Sequence, residues 1–293
     1  MEKIHIIPTT KAEHIGKKLA KKGLEVIFPE KNKEGKRYFP DGEVYAKISG
    51  IKKLTGRVII LHSGAPNPND GLVELEMILA ILQQSKASSI EVFFTYFPYG
   101  RQDKIFQKGE TNAAENLVKK LIDYYGAKKI YTIDAHFAGR KWVNKYPLTN
   151  VSATNLLIQT VLRNYREAIF LPPDVGSQRR TGLKLKGVKM KRIDSYRKEI
   201  KSGEEFKAAV KGRVVAVLDD MVETGATLIP FYEECKKFGA KEVIALITHG
   251  VLLEGIRKIK SKYSKLYLTN TIDRVEANVD VTNLIFETIT KKW

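Results

Sequence analysis

The amino-acid sequence predicts an α/β protein with mostly parallel sheets, and three features point to this class. Strand-like apolar segments alternate with helix-like patterns along the whole chain. Several of these segments, such as Val214–Leu218, are almost entirely apolar, as expected of strands that are covered on both faces. With 293 residues, of which 43% are hydrophobic, the chain is long enough for one large domain or, more comfortably, for two.

The predicted elements follow one another in a regular order along the chain. Strands are predicted at Ile4–Ile7, Glu25–Phe28, Val44–Ile48, Val58–Leu61, Ile90–Tyr96, Ile130–Ile133, Ala168–Leu171, Val188–Ile193, Val214–Leu218, Val243–Ile247 and Leu266–Leu268. Helices are predicted at Leu72–Gln83, Ala113–Tyr125, Ala153–Tyr165, Thr227–Phe238 and Val281–Thr290. This alternation is typical of parallel strands that are joined by helices.

A short pattern occurs twice and suggests two related halves. Gly126-Ala127-Lys128 ends a predicted helix and leads through a strand to His136, and Gly239-Ala240-Lys241 leads to His249 at the same spacing. Glycine is common at helix ends, so the equal strand lengths carry more weight than the glycines themselves. We therefore expect an internal duplication, with one domain at 1–147 and a second at 148–293, joined near Pro147.

Composition limits the classes of function. The net charge of +18 suits a basic surface, a site for phosphate ligands or a nucleic-acid surface, and charge alone does not choose among them. No apolar run is long enough to cross a membrane, and the segment after Met1 lacks the pattern of a signal peptide. Cys235 is the only cysteine, which excludes a disulfide framework and a cysteine zinc site. We expect a cytoplasmic protein with neither membrane nor nucleic-acid partners.

The segment VAVLDDMVETGATL, at 215–228, carries the clearest chemical signal. A buried strand ends in two carboxylates, and a short glycine-containing loop then opens a helix. In open α/β sheets ligands bind at the carboxyl ends of strands, and such a loop offers backbone N–H groups to a phosphate. The alternative is that the two acids only precede a helix that Thr227 caps. The candidate phosphate-site residues are Asp219, Asp220, Glu223, Thr224, Gly225, Ala226 and Thr227.

A second segment, FFTYFPYGRQDK at 93–104, follows another predicted strand. It combines a proline turn with Arg101, Gln102 and Asp103. Arginine offers a charged fork to phosphate, and glutamine can hydrogen-bond a base or a ribose. Alone, the segment also fits a solvated loop. The chain contains neither G-x-x-x-x-G-K-[ST] nor G-x-G-x-x-G, which argues against P-loop kinases and dinucleotide-binding enzymes.

Taken together, these segments make the sequence similar to the ribose-phosphate pyrophosphokinase family, also called PRPP synthetases. The resemblance runs over essentially the whole chain. It implies two phosphoribosyltransferase-like domains related by duplication, in a homodimer or a larger homo-oligomer. It also implies transfer of the diphosphoryl group of Mg²⁺-ATP to the anomeric hydroxyl of ribose 5-phosphate, which gives phosphoribosyl pyrophosphate and AMP for nucleotide biosynthesis.

The resemblance assigns an ATP-binding role to two segments. FPDGE, at 39–43, looks like the family's adenine-contacting segment, in which Phe39 stacks on the base and Asp41, Gly42 and Glu43 make polar contacts. In the family this segment completes the ATP site of the neighbouring subunit. An ordinary hairpin turn is the alternative, because Asp-Gly before a strand is a common turn signal. Arg101 and Gln102, with Asp103, match the family's second ATP segment.

Two further segments match strand-end motifs of the family. TIDAHF, at 132–137, places His136 at the magnesium–ATP phosphates, although a lone histidine is more often structural. PPDVGSQRRT, at 172–181, places Asp174 at the metal or the ribose. The resemblance thus implies Mg²⁺ as the cofactor. The loop from Glu223 to Thr227, together with Asp219 and Asp220, would hold ribose 5-phosphate.

The family's mobile catalytic loop begins after a strand with Lys-x-Arg, and here the match departs. Ser195 stands where the family has the lysine, with Arg197 on the arginine and Lys198 as a further cation. We predict Arg197 and Lys198 as the catalytic cations. A slipped register would use Lys191 and its neighbour Arg192 instead, and a merely solvated basic run is a third interpretation. Glu223 stands where the family has an aspartate.

Three other functions stay open at this point. A phosphoribosyltransferase would consume phosphoribosyl pyrophosphate, but its single domain would need neither FPDGE nor GRQDK. A catalytically silent homologue would associate with an active enzyme, and Ser195 is the argument for it. A nucleic-acid-binding module would cluster its basic residues with exposed aromatic ones rather than disperse them.

Overall fold

The structure, a computed structural model, describes residues 3–183, 188–192 and 198–291, without the side chains of 188–192 and 198–202. It divides the chain into two compact units. The first comprises Met1–Val151 together with Thr282–Trp293, and the second comprises Ser152–Val281. Across the described residues, no helix has the length and apolar character needed to cross a membrane.

The first unit is built on a parallel sheet. Its strands and helices, in chain order, are β1 (Ile4–Pro8), α1 (Glu13–Lys21), β2 (Glu25–Val26), β3 (Thr55–Ser63), α2 (Pro68–Leu82), β4 (Lys86–Tyr96), α3 (Ala113–Asp123), β5 (Lys129–Ile133) and β6 (Leu148–Val151). The strands lie in the order β2-β1-β3-β4-β5-β6, and every pair is parallel. Single-turn helices occupy Thr10–Ala12, Ile51–Lys53 and Lys141–Lys145.

The core of the first unit follows from its central strands, which are covered on both faces. Ile60 and Val92 are fully buried where β3 and β4 pair, and they belong to one hydrophobic cluster with Leu79 of α2 and Val118 of α3. Burying large aliphatic side chains of this kind stabilises the fold by about 1.5–3 kcal/mol each. Because parallel strands begin at one edge and end at the other, the segments after β4 and β5 meet at the same edge.

The second unit is a smaller parallel sheet with an added hairpin. Its elements are α4 (Thr154–Leu162), β7 (Ile169–Leu171), α5 (Val175–Thr181), β8 (Val188–Arg192), β9 (Lys198–Ser202), α6 (Glu204–Val210), β10 (Val214–Val222), α7 (Leu228–Lys237), β11 (Glu242–Gly250), α8 (Leu253–Lys262) and β12 (Lys265–Leu268). The parallel strands lie in the order β12-β11-β10-β7, while β8 and β9 pair with each other in antiparallel fashion. The last helix, α9 (Thr282–Thr290), belongs to the first unit.

The predicted fold class is confirmed, since the protein is α/β with two parallel sheets. The strand predicted at Val44–Ile48 is wrong, because that segment forms only an isolated bridge between Tyr38 and Val44. Val44 and Ile48 are nonetheless buried, so their apolar signal reflects a covered loop. Helix α1 was not predicted, because it buries only Ile15, Gly16 and Leu19 and is otherwise rich in lysine.

The repeated Gly-Ala-Lys pattern has the same local structure at both places. Gly126 follows α3 with φ 71°, and Gly239 follows α7 with φ 80°. Both are left-handed conformations that glycine adopts without strain at helix ends. The likeness agrees with the predicted duplication, which stays a prediction together with its domain limits of 1–147 and 148–293. The compact units themselves divide after Val151, because β6 pairs with β5.

Candidate active site

In the second unit, the carboxyl edge of the sheet gathers acidic side chains. Asp219 and Asp220 lie near the end of β10, and β10 pairs with β7 through Val217 and Leu171. Asp174 follows β7 and is the N-cap of α5, where its Oδ1 accepts a hydrogen bond from the Ser177 N–H at 2.8 Å. The sheet therefore brings together three carboxylates that lie far apart in the sequence.

Helix α5 connects these carboxylates through two side chains. The Ser177 hydroxyl lies 2.6 Å from Asp219 Oδ1 and 3.0 Å from Asp174 Oδ1. The Arg180 guanidinium lies 2.9 Å from Asp220 Oδ1 and 3.4 Å from Asp219 Oδ1. Because α5 places Ser177 and Arg180 three residues apart on one face, both reach the end of β10. One arginine thus faces three carboxylates.

This concentration of negative charge alters the acidity of the site. Asp219 is 5% exposed. Burial, reinforced by the neighbouring charge of Asp220, raises the pKa of Asp219 well above its ordinary value, and Arg180 offsets this only in part. A group held in this way gains from any further cation or hydrogen-bond donor that approaches it. The cluster is therefore suited to ligands that donate hydrogen bonds, such as hydroxyl groups.

The loop after β10 is shaped by two glycines. Gly225 has φ 82°, and its carbonyl accepts the N–H of Ile229 at 2.9 Å, so the chain turns directly into α7. Thr227 precedes α7 but makes no side-chain capping bond, which disfavours the simple capping alternative. Gly255 of α8 packs so closely under the Glu223 carbonyl that a Cβ there would overlap it. Thr224 and Ala226 are exposed, whereas Gly225 between them is buried.

In the first unit, the segment after β4 exposes Arg101 and Gln102 to solvent and is fixed to the protein by the buried residue that follows them, Asp103. Both are exposed, whereas the next residue, Asp103, is only 2% exposed. The Asp103 carboxylate accepts two bonds from Arg140, at 2.7 and 3.0 Å, and its backbone carbonyl accepts the Trp142 indole N–H at 3.0 Å. Both carboxylate oxygens of Asp103 thus accept hydrogen bonds from Arg140. These bonds fix the backbone next to Arg101 and Gln102.

His136 lies beside this segment. It follows β5, which pairs with β4, and a Cβ built on Gly100 would lie 3.9 Å from the Cβ of His136. The turn after β5 is fixed by Asp134, which has φ 37°, and by the Asn150 side chain, which accepts the Ala135 N–H at 2.8 Å. Arg101, Gln102 and His136 therefore occupy neighbouring strand ends of one sheet.

The FPDGE segment forms a tight turn between β2 and β3. Phe39 and Glu43 pair through the backbone at 2.8 Å, Gly42 has φ 95°, and the Asp41 carboxylate accepts the Glu43 N–H at 3.1 Å. The turn alternative is therefore correct as a description of the backbone. It also leaves Phe39 43% exposed, in edge-to-face contact with Tyr45, so the ring is available to a ligand.

Some predicted residues are not brought together or lie outside the described structure. His136 and Asp174 belong to different units. Arg197 and Ser195 lie outside the described residues, and Lys198 is described only as the first backbone position of β9. β8 ends at Arg192 and β9 begins at Lys198, so the part of the predicted mobile loop from Lys198 to Ser202 is a strand, and the part before it lies outside the described residues. Within the described residues, no group of three or more His, Cys, Asp or Glu side chains, the three carboxylates of the second unit included, is arranged so that it could hold a metal ion by itself.

Two arginines of the site were not predicted from the sequence. Arg180 lies within the quoted segment PPDVGSQRRT, and its helical spacing from Ser177 is the signal that could have identified it. Arg140 lies 37 residues from Asp103, and no local pattern links the two. Arg180 binds Asp219 and Asp220, which precede the predicted phosphate loop, and Arg140 binds Asp103, which follows Arg101 and Gln102.

Comparison with known proteins decides the family. The sequence profile described as the N-terminal domain of ribose phosphate pyrophosphokinase matches residues 6–126. The ribose-phosphate pyrophosphokinase of Ralstonia nicotianae is 30% identical over 242 residues, which cover 80% of this chain and 76% of that protein. This chain belongs to the ribose-phosphate pyrophosphokinase family.

Other members of the ribose-phosphate pyrophosphokinase family match over more of the chain. The protein of Pyrococcus abyssi is 26% identical over 287 residues, which cover 94% of both chains. The crystal structure of phosphoribosylpyrophosphate synthetase from Mycobacterium smegmatis aligns with a TM-score of 0.80 at 23% identity and covers 98% of both chains. At that identity the structural likeness shows the fold, and both sheets of the pyrophosphokinase fold are thus accounted for.

Proposed function

We propose that this protein transfers the diphosphoryl group of ATP to ribose 5-phosphate and releases phosphoribosyl pyrophosphate and AMP. The observation that carries the proposal is the glycine-containing loop at 223–227, which follows Asp219 and Asp220 near the carboxyl end of β10. Membership of the ribose-phosphate pyrophosphokinase family supports it. The reaction is an in-line attack by the anomeric hydroxyl on the β-phosphorus of ATP.

Ribose 5-phosphate would be held by the second unit. The backbone N–H groups of Thr224 and Ala226, both exposed residues, and the N-terminus of α7 would serve as donors to the phosphate. The carboxylates of Asp219 and Asp220 accept hydrogen bonds from the ribose hydroxyls. Glu223 would orient the loop or the incoming hydroxyl, because its backbone is fixed against Gly255.

ATP would be held by residues of the first unit. Arg101 supplies charge to the phosphates and Gln102 hydrogen-bonds the nucleoside, while Asp103 holds both in place through Arg140. The exposed Phe39 ring would stack on the adenine of a neighbouring subunit, with Asp41, Gly42 and Glu43 beside it. This arrangement requires a homodimer or a larger homo-oligomer, which we propose as well.

Magnesium would be held chiefly by the substrate phosphates, and the proposed protein contacts are His136 in the first unit and Asp174 in the second, each considered separately. Asp174 fits such an ion, because Mg²⁺ in phosphoryl-transfer sites typically takes one or two carboxylates and keeps water and phosphate ligands. Asp174 lies in a cluster of three carboxylates that a single arginine does not neutralise. When bound, the ion supplies positive charge against the phosphates.

The remaining catalytic charge would come from the chain segment that follows β8 and includes Lys198, the first residue of β9. Arg197 and Lys198 are the proposed cations, which would stabilise the negative charge that grows on the transferring group and the leaving AMP. Transfer of this kind depends mainly on positioning and charge neutralisation.

The proposal is tested by incubating the purified protein with Mg²⁺, ATP and ribose 5-phosphate. We expect AMP and phosphoribosyl pyrophosphate in equal amounts, and no product without a divalent metal. Asp219→Asn should lower kcat/KM for ribose 5-phosphate on the order of 100-fold, whereas Asp273→Asn, at an exposed position, should have little effect. Release of ADP, or no turnover of nucleotide, would show that the function is a different one.

A further inference from the structure

A cavity lies at the opposite end of the first sheet from Arg101 and His136. It has a volume of about 900 Å³ and is lined by the starts of the parallel strands, the turn after α1 and the end of α9. The pairing of Ile4 with Arg57, and of Glu91 with Lys129, places these residues at the amino end of the sheet. The cavity is therefore separate from the proposed active site, and its size is within the range of small-molecule sites.

The lining of this cavity is strongly basic. It contains two carboxylates, Glu25 and Glu91, and five cationic side chains, namely Lys3, Lys22, Arg57, Lys129 and Lys291. The excess of three positive charges within one concave surface creates a positive potential, which the low-dielectric wall strengthens. An anionic ligand is the class that this potential favours.

The two acids of the lining are already paired within the protein. Arg57 binds Glu91 through two bonds of 2.8 Å each, and Lys3 lies 2.9 Å from Glu25. Burial raises the pKa of Glu91, but the hydrogen bonds and charge of Arg57 outweigh this effect and leave that pKa below its ordinary value. Glu91 is therefore ionised at neutral pH, and the excess charge of the cavity comes from the other lysines.

The floor of the cavity is held rigid by a network around Arg57. Arg57 also donates to the backbone carbonyl of Ile289 at 2.9 Å, which ties the end of α9 to the sheet. The Tyr131 hydroxyl donates to Glu91 at 3.1 Å, and burial, with the Glu91 charge, raises the pKa of Tyr131 to about 12. The hydroxyl of Tyr131 thus remains a neutral donor, and the floor is formed before any ligand arrives.

Two lysines at the rim have no carboxylate within reach in the part of the chain that is described. They are Lys22, after α1, and Lys291, after α9, and both are exposed. Lys22 lies 5.3 Å from the centroid of the Phe286 ring, a cation–π contact that leaves its N–H donors available. Phe286, Leu24 and Ile4 supply an apolar wall beside these two charges.

We propose that this cavity binds a small phosphate monoester that carries an apolar or planar organic part. A dianionic phosphate matches the excess positive charge better than a single carboxylate does, and lysine ammonium groups bind phosphate as mobile point charges. The organic part packs against Phe286 and its apolar neighbours. The site goes beyond the proposed function, since it involves none of the residues assigned to ATP or ribose 5-phosphate.

Binding of 1-naphthyl phosphate, measured by calorimetry on the full chain with ribose 5-phosphate at saturation, tests the proposal. We expect the double variant Lys22→Ala/Lys291→Ala to weaken binding by at least about tenfold. The matched control Lys21→Ala/Lys119→Ala removes two exposed lysines outside the cavity and should change the affinity by less than about twofold. Equal weakening in both pairs, or none in the first, would overturn the proposal.

Two further ligands separate charge from apolar contact. Neutral 1-naphthol and inorganic phosphate should each bind at least about tenfold more weakly than 1-naphthyl phosphate, because each satisfies only half of the site. If inorganic phosphate binds as well as the ester, the apolar wall has no role and the proposed ligand class is wrong. These measurements record binding alone, so they remain valid whether or not the protein forms AMP.

Discussion

Arg180 is the residue on which the acidic cluster of the second unit depends. Its guanidinium contacts both Asp219 and Asp220, and all three side chains are largely buried. A buried ion pair adds little stability over an apolar substitute, but removal of one partner leaves an uncompensated charge in a poorly solvated site. Arg180 therefore offsets the repulsion between the Asp219 and Asp220 carboxylates, which would otherwise push these two side chains apart.

We expect Arg180→Ala to lower the free energy of unfolding of the second unit by about 3 kcal/mol, measured by urea denaturation. Addition of Asp220→Asn should restore part of this loss, because it removes one of the two repelling charges. Arg179→Ala, at the exposed neighbouring position, is the control and should cost less than about 0.5 kcal/mol. If Arg180→Ala is as stable as the control, the carboxylates of the cluster do not need the positive charge of Arg180.

The buried side chain of His62 makes the stability of the protein depend on pH, and this dependence can be measured. It is fully buried, its Nδ1 lies 3.0 Å from the Thr9 hydroxyl, and burial lowers its pKa to about 3. Below pH about 6.5 the unfolded chain takes up a proton at this histidine that the folded protein refuses, so stability falls as the pH falls towards 3. The expected slope from this group is about 1.4 kcal/mol per pH unit.

His62→Gln should therefore remove that slope between pH 6 and pH 4, in urea titrations compared with the wild type at each pH. Thr9→Val is the matched control, because it removes the hydrogen bond at Nδ1 but keeps the titrating ring. Thr9→Val should keep the wild-type slope. Parallel curves for the wild type and His62→Gln would mean that His62 is protonated in the folded protein.

At the scale of elements, the sequence predicted those strands, helices and turns that are determined by residues close together in the chain. The apolar strand at Val214–Leu218 was predictable, and so was the glycine-containing turn that leads from it into a helix, because strand, acids and glycine are contiguous. The phosphate-binding role of this loop stays a prediction. The contacts of Arg180 with β10 were not predicted, since they depend on the pairing of β7 with β10. The buried loop around Val44 was mistaken for a strand, because its apolar residues indicate burial but do not show whether the backbone pairs with another strand.

The contact of α8 with the loop after β10 leads to a prediction about an element. Gly255 lies under the Glu223 carbonyl, so a methyl group there must push the loop away or shift the helix. Gly255→Ala should raise KM for ribose 5-phosphate by at least about tenfold, with little change in KM for ATP. Gly139→Ala, where a Cβ meets nothing within 4 Å, is the control and should leave both constants unchanged. An unchanged KM in Gly255→Ala would mean that the loop does not bind this substrate.

At the scale of the whole molecule, the proposed function assigns one substrate to each of the two sheets. Each sheet ends in polar segments at the carboxyl edge, with Arg101 and His136 in one unit and Asp219 with its loop in the other. We propose the first set for a nucleoside triphosphate and the second for a sugar phosphate. The net charge of +18 favours both polyanions at long range, and salt should therefore weaken substrate capture.

The final prediction concerns assembly, because the FPDGE turn exposes Phe39 to solvent while its proposed ligand lies in another subunit. A Phe39→Ala protein and an Arg101→Ala protein should each have low activity. In a mixed dimer one of the two shared sites regains both residues and the other loses both. Random exchange in an equal mixture makes about half of the dimers hybrid, so the mixture should reach about one quarter of wild-type activity. Activity that never exceeds that of the separate variants, after exchange of subunits is confirmed by mass spectrometry, would place Phe39 in the site of its own subunit or outside any ATP site.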